Sequence, residues 1–500
     1  MEKVPTTLRN NLILLFFFVP AAYFTIFFKL GRLDICMWDE SRLAVNTLEM
    51  YYHHNLLLTT FNGSPDLWGT KPPLMIWAQL FFFRILGPSV LALRLPSALS
   101  ALAISLLLAG VVYRKTSKLT AGLLSALVFV TSAGFIGLHV SRTGDYDALL
   151  SLFIFLYCFS FYFYVTGRDS KKRKRDIYLT FLFLTLATLT KGIQAIIPLP
   201  ALLLFILLEK QLKDLLRTAS FYIGSAFFIL VIAGYYLLRE HAAPGYLRAV
   251  SHMELASRYL HTIEEHSNPF YYYFHGLIHD KFNSGYLFLI LSLPLSFLHP
   301  DKGFRSLLKF SLLAGFFYLL VLSFSKTKCE WYDAPFYPFA ALMAGITLAF
   351  LFEWLIGKFK PLQAPVFIRF VLPLALLLLF VPAFSKITKD NMHVNFDYWK
   401  DVQYGKYLRH LENDLKTLPD TVTFVHGGYN APLTYYKILY NHEKGKDFSI
   451  WNGVDTAKVK ANAIFISCQD NQKEILEHQY KTQLLNADMG FWTLRVLGRK

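Results

Sequence analysis

Eleven apolar stretches recur along the first three quarters of the chain, at approximately 11–30, 92–112, 119–137, 148–166, 178–190, 193–208, 218–238, 285–299, 307–324, 334–356 and 366–384. Their cores hold almost no ionisable side chain. A helix needs about 20 mostly apolar residues to cross the hydrocarbon of a bilayer, and several of these stretches approach or reach that length. The composition agrees. Of 500 residues, 54% are hydrophobic, 47 are Phe and only 17% are charged, against roughly 25% charged in an average soluble domain. The expected fold is a polytopic α-helical membrane protein of about 11 spans, the first of them retained as a membrane helix.

The position of the charge then sets an orientation. The net charge is +16, and residues 384–500 hold sixteen basic against thirteen acidic side chains, so the first 383 residues carry +13 of it. A nucleic-acid binder gathers its basic residues on a soluble domain, whereas here they sit between apolar runs. Arg114, Lys115 and Lys118, the run RDSKKRKR at 168–175, Lys210, Lys213 and Arg217, Lys302 with Arg305, and Lys358 with Lys360 fall in alternate loops. The positive-inside rule makes these cytoplasmic together with the N-terminus. The loops at 31–91, 138–147, 239–284 and 325–333, and everything after 385, are then outside.

Residues 74–87 (LMIWAQLFFFRILG) are apolar but too short to span, which suits a helix lying along the membrane surface. Beyond residue 385 the composition changes. Thr421–His426 and Ala463–Cys468 read as buried strands, with helical patterns at 400–416 and 471–479. The expected organisation is a membrane domain at 1–385 and a small extracytoplasmic α/β domain at 386–500. Cys36, Cys158, Cys329 and Cys468 form no CxxC and no metal-ligand spacing.

Because acidic side chains are missing from mid-span, where proton-coupled carriers keep them, any chemistry belongs at the outer membrane–water boundary. Four groups of residues stand there. Trp38-Asp39-Glu40-Ser41-Arg42 follows the first span; its acids can supply a general base or bind a cation, or simply favour a helix N-terminus. Lys71, in Trp68-Gly69-Thr70-Lys71-Pro72-Pro73, is placed to grip a lipid phosphate with help from Arg84 and Arg94, or to anchor at the interface. Ser141-Arg142-Thr143-Gly144-Asp145-Tyr146-Asp147 offers a D-x-D clamp, while Asp147 can equally cap the helix it opens. Lys191, Lys326 and Lys328 break the inside-positive pattern and ask for an anionic partner outside. The loop at 239–284 adds His241, His252, His261, His266, His275 and His279 with Glu254, Glu264 and Glu265. His275 and His279 share a helix face if that stretch is helical and are the candidates for a divalent metal, though interfacial hydrogen bonding and headgroup contacts explain them better, since no full ligand set is evident.

In this order, an acidic pair after the first span, a KPP turn, R-T-x-x-x-D, L-T-K-G and S-K-x-K before a Pro-rich span resemble the GT-C glycosyltransferases. The resemblance is to the bacterial form of the protein O-mannosyltransferase and aminoarabinose (lipid A) transferase superfamily, glycosyltransferase family 39-like, over about residues 10–350. It implies inverting transfer of one sugar from a polyprenyl-phosphate donor to lipid A, another glycan or a protein, at the outer face of the bacterial inner membrane. It further implies that Asp39 is the essential loop aspartate, Asp147 the second acidic position, Lys71 the donor-phosphate lysine and Lys191 the L-T-K-G lysine. Where aminoarabinose transferases carry Glu before the KP lysine, this chain has Thr70, which weighs against that sugar and against a metal site built on that glutamate.

From these residues Asp39, with Glu40 and Asp147, is expected to be catalytic. Lys71, Lys191, Arg94, Lys326 and Lys328 are expected to bind donor phosphate, and Trp38, Arg142 and Asp145 to touch acceptor or sugar. The sequence identifies no cofactor with certainty, and a divalent metal is compatible with it. The rival readings are a flippase for polyprenyl-linked glycans using the same basic outer surface, and a membrane scaffold acting through its C-terminal domain.

Overall fold

The computed structural model describes residues 6–256, 268–282, 285–359, 371–392, 403–415 and 418–500. Its contacts divide the chain into two compact units. The first comprises Met1–Leu30, Leu67–Ala78 and Arg94–His393; the second comprises Gly31–Asp66, Gln79–Leu93 and Val394–Lys500. This division does not follow a linear boundary at 385, because much of the 31–91 loop packs with the C-terminal segment.

The first unit is helical. Its principal helices are α1 (Thr6–Ala22), α2 (Val90–Thr116), α3 (Leu119–Val130), α4 (Asp147–Thr166), α5 (Ser170–Lys191), α6 (Leu199–Leu208), α7 (Ala219–Ala242), α8 (Gly285–Leu298), α9 (Lys302–Phe324), α10 (Tyr337–Phe359), α11 (Leu372–Leu378) and α12 (Val381–Met392). Among the described residues eight helical segments are long and apolar enough to cross a membrane, and α3, α6 and α8 are apolar but only 10–14 residues long. At 1.5 Å per residue these three fall short of the roughly 30 Å hydrocarbon core. Every expected span thus has a helix, although residues 366–370 of the last lie outside the described residues. Of the about eleven expected spans, eight thus have a helix of spanning length among the described residues and three have a shorter one.

α4 and α5 form an antiparallel hairpin with a short turn at 167–169. Asp169 caps α5, its side chain accepting the Lys171 and Lys172 N–H groups, which satisfies donors that a helix start leaves unpaired. With about twenty residues per arm, the two ends of the hairpin lie roughly 30 Å apart. Its closed end holds the RDSKKRKR run, and its open end holds Asp147 and Lys191.

In the second unit, α13 (Asp39–His53) carries the D-E-x-R stretch, and a two-residue β-ladder pairs β1 (Thr60–Phe61) with β2 (Ser64–Pro65). Helix α14 (Leu74–Leu86) covers the apolar run 74–87 and belongs partly to each unit. The C-terminal segment builds a five-stranded sheet from β3 (Thr421–Val425), β4 (Asp447–Trp451), β5 (Ile464–Ser467), β6 (Tyr480–Asp488) and β7 (Phe491–Arg499) in the order β4-β3-β5-β7-β6. The first three strands are parallel and the last two antiparallel. Helices α15 (Tyr404–Asp414), α16 (Ala431–Lys444) and α17 (Asp470–Gln479) accompany it. β3 and β5, the two strands the sequence shows, are buried along nearly their whole length, as strands covered on both faces must be. Asp34 pins α15 and α16 within this unit: its carboxylate accepts the Lys406 N–H at 2.6 Å, the Tyr436 hydroxyl at 3.2 Å and the Arg409 guanidinium.

Candidate active site

At the open end of the α4–α5 hairpin the Lys191 ammonium lies 2.7 Å from both carboxylate oxygens of Asp147. Both side chains are only 2% exposed. Burial of this kind is tolerated only because the charges are paired and hydrogen-bonded. Gly192 follows at φ +59°, the left-handed geometry that lets α5 stop at the lysine. The Tyr332 ring sits 5.0 Å from the same ammonium, adding its negative face to the site.

Lys71 comes to the same place. Its ammonium lies 5.3 Å from the Tyr146 ring, beside Asp147. Pro72 reaches to 3.9 Å of where a Gly192 Cβ would stand, and the Tyr236 hydroxyl to 3.5 Å. The turn is braced from both sides: Tyr246 donates its hydroxyl to the Thr70 carbonyl at 2.8 Å, and Thr70 donates its own to Glu254 at 2.6 Å. The Glu254 carboxylate is also 4.0 Å from the Lys71 ammonium. Thr70 stands where a glutamate is expected in the aminoarabinose transferases, and a carboxylate stands beside it all the same, supplied by a residue 184 positions downstream. Local sequence carries no signal for that pairing.

The remaining expected residues are placed variously. Arg94 is fully buried and donates to the Leu30 carbonyl at 2.9 Å. Arg142 donates to the carbonyls of Thr25, Ile26 and Phe28, so its guanidinium caps the end of the first helical segment, where unpaired carbonyls favour a cation. Burial and the neighbouring Arg94 guanidinium lower its pKa to about 10, which leaves it charged at neutral pH. Asp145 accepts the Thr143 hydroxyl and lies 3.8 Å from His139. Lys326 is exposed, whereas Lys328 is buried with its ammonium on the Ser325 carbonyl and its pKa lowered by that burial. His275 and His279 are exposed on one helical face with rings 4.3 Å apart. Among the described residues no third His, Cys, Asp or Glu joins them in a metal-binding group. His261, His266, Glu264 and Glu265 lie outside the described residues.

Asp39 belongs to the second unit, where it opens α13 half-exposed. Its neighbours differ sharply from it. Glu40 is fully buried and accepts the Cys36 N–H at 2.7 Å, a structural contact that holds the chain entering α13. Arg42 forms a bidentate pair with Asp66 at 2.6 and 2.9 Å. Trp38 has φ +70° and ψ −116°, a conformation rare for a bulky residue and one that persists only when its surroundings impose it.

With this geometry in view, residues 70–236 match the family described as dolichyl-phosphate-mannose-protein mannosyltransferase. The match contains Lys71, Arg94, Asp145, Asp147 and Lys191; it begins after Asp39 and ends before Glu254. An uncharacterized protein of Aquifex aeolicus is 27% identical over 71% of this chain and 66% of its own length. The putative mannosyltransferase YycA of Bacillus subtilis is 30% identical over 34% of this chain and 24% of its own. The chain therefore spans less than two thirds of either relative. The crystal structure of ArnT from Cupriavidus metallidurans bound to undecaprenyl phosphate superposes with a TM-score of 0.69, covering 96% of this chain and 97% of that one at 15% identity. The motif order, the family match over residues 70–236 and the shared fold point the same way: that stretch is similar to the mannosyltransferase family, and the chain has the fold of ArnT.

Proposed function

We propose that the protein transfers one sugar from a polyprenyl-phosphate donor to an envelope acceptor, with inversion, at the outer face of the bacterial inner membrane. The observation that carries this reading is the convergence of Lys71, Tyr146, Asp147 and Lys191 at the end of the hairpin opposite the basic turn. If the RDSKKRKR turn is cytoplasmic under the positive-inside rule, an end roughly 30 Å away is at the other face. The ArnT neighbour was crystallised with undecaprenyl phosphate, which supports a lipid-linked donor here.

In this reaction the acceptor oxygen bonds to C1 of the sugar as the C1–O bond to phosphate breaks, and the electron pair leaves with the polyprenyl phosphate. Charge grows on that phosphate in the transition state, so a preoriented ammonium in a site of low water content stabilises it strongly. Lys71 is the group for this role: its side chain is 12% exposed, and its partner Glu254 stands off at 4.0 Å. Lys191 is held by Asp147 at 2.7 Å, and that pair positions the Lys71 turn and lends its dipole to the phosphate. Asp39, half-exposed and acidic, takes the proton of an acceptor hydroxyl; toward a phosphate acceptor it orients rather than deprotonates.

The test is mass spectrometry of envelope lipids and glycoproteins from cells carrying the wild type, Asp39→Asn or Lys71→Ala. One class of molecule should lose a single pentose or hexose in both variants. Identical profiles in all three strains would reject glycosyl transfer.

A further inference from the structure

The second unit contains an open cleft of about 660 Å³ that the reaction above does not use. That is within the range of small-molecule sites, about 300–1,000 Å³. It opens at the C-terminal ends of the parallel strands, next to β3, from which the sheet continues to β4 on one side and β5 on the other. Ligands of α/β sheets bind at such switch points because loops diverge there and leave a crevice.

The chemistry of its lining selects among ligands. After β3 the chain runs His426-Gly427-Gly428-Tyr429-Asn430 into α16, with Gly428 at φ +95°. Glycine turns before a helix often cradle phosphate with free N–H groups. Here those donors are engaged: Gly427 N–H is held by the Gln469 side chain at 3.1 Å and Gly428 N–H by Asn452 at 2.9 Å. The Asn430 side chain is itself bonded to the Leu433 N–H at 2.8 Å, capping α16. Glu49, 4% exposed, also lines the cleft and accepts the Gly63 N–H. Lys437 adds one half-buried ammonium to the lining, but the buried carboxylate and the occupied backbone N–H groups disfavour an anion, whereas carboxamides, imidazole, ammonium and carboxylate together suit hydroxyl groups that both donate and accept.

The rim adds the second half of the argument. Tyr429 and Phe61 line the cleft. The Tyr429 ring is stacked with Trp38 at 5.5 Å and with Phe61 at 6.0 Å, with interplanar angles of 11° and 17°. Trp38 is 55% exposed and Tyr429 37%. The set is fixed in place by Arg42, which lies 4.7 Å from the Phe61 ring centroid while paired with Asp66. Partly exposed aromatic faces carry negative charge density and attract the C–H faces of sugar rings.

From the polar lining and this braced aromatic rim together, we infer that the cleft binds a neutral saccharide, the glycan part of the acceptor. The word acceptor rests on the glycosyl-transfer reading; the binding itself does not. Sugar bound here lies in the unit that contains Asp39, and Trp38 joins the aromatic rim directly to that residue.

The full-length protein in lipid nanodiscs would be titrated by calorimetry with a mannose disaccharide, a glucose trisaccharide and an N-acetylglucosamine disaccharide, and with inorganic phosphate. At least one saccharide should bind saturably and phosphate should not. Tyr429→Ala should weaken binding about tenfold or more, and Lys437→Met, a gentler change in the same lining, should weaken it measurably, while Lys71→Ala should leave it unchanged. If Tyr429→Ala does not fold, Lys437→Met and Tyr429→Leu carry the test. Failure of every saccharide to bind, tighter binding of phosphate, or unaltered affinity in the lining variants would overturn the inference. None of these readings involves turnover, so their failure would leave glycosyl transfer standing.

Discussion

The two ends of the α4–α5 hairpin are built from the same two helices and both carry ion pairs, yet they are opposite in physical character. At the closed end Asp176 pairs with Arg114 at 2.9 Å and Arg175 at 2.8 Å, and these arginines are 44% and 55% exposed. Lys172, nearby, is 67% exposed. At the open end Lys191 and Asp147 are sealed from water. Solvated cations hold topology, since water and salt screen them and each contributes little alone. Desolvated cations interact strongly with any charge brought to them. On the proposed reading, solvated charge orients the loops and desolvated charge marks the candidate site.

The largest effect should follow from breaking the sealed pair. Lys191→Met leaves the Asp147 carboxylate buried without its cation, and such losses cost about 3–5 kcal/mol. Thermal unfolding of the purified variant should show a marked drop, and Asp147→Asn combined with Lys191→Met should recover much of it without restoring turnover. A melting curve like that of the wild type would erase the contrast between the two ends.

Next in size is Asp39→Asn, which should reduce turnover toward a hydroxyl acceptor by about 10²-fold or more while costing no more than about 1 kcal/mol of stability, the size of losing one charge in the first turn of a helix. Glu40→Gln should show the reverse, losing stability through the Cys36 contact. The pair of measurements separates chemistry from structure in two adjacent residues.

Lys71→Ala should lower kcat/KM for the donor by about 10²-fold, an effect of the size seen for a single electrostatic group in such sites. Lys71→Arg should restore part of it, because the planar fork does not occupy the place of a point charge. The loss should not add to that of Glu254→Gln, since the two side chains share one contact network.

The smallest effect belongs to the closed end. Arg175→Gln should change stability by no more than about 0.5 kcal/mol and leave turnover alone, because Arg114 still pairs with Asp176. A strong loss of activity there would show that the basic turn does more than orient the chain.

Much of this was legible in the sequence because lipid imposes long apolar runs and alternating charge. Helices form at all the expected spans, and β3, β5, α15 and α17 follow the expected strand and helix patterns. The boundary at 385 was less legible, since a contact between residues 31–66 and the C-terminal segment leaves no local pattern. β6 was missed because it is largely exposed and carries no buried apolar run; β7 is buried over Phe491–Leu494 and at Val496, and the sequence reading did not single it out. In the site, Lys71, Asp147 and Lys191 stand out as charges beside apolar spans. The Glu254 contact with Thr70 does not, because nothing near residue 254 marks it. Arg142 drew notice for its charge, and only the structure shows that charge spent on helix-end carbonyls.

The most direct test of the account is a product balance with the purified protein in nanodiscs. A polyprenyl-phosphate sugar labelled in the sugar is supplied together with an envelope lipid and glycan extract. The account predicts free polyprenyl phosphate released in equal amount to the sugar covalently gained by acceptor, with both products lost in Asp39→Asn and Lys71→Ala. Release of neither product, with intact donor carried across the bilayer of a sealed vesicle at the wild-type rate in both variants, would contradict it and make the protein a transporter.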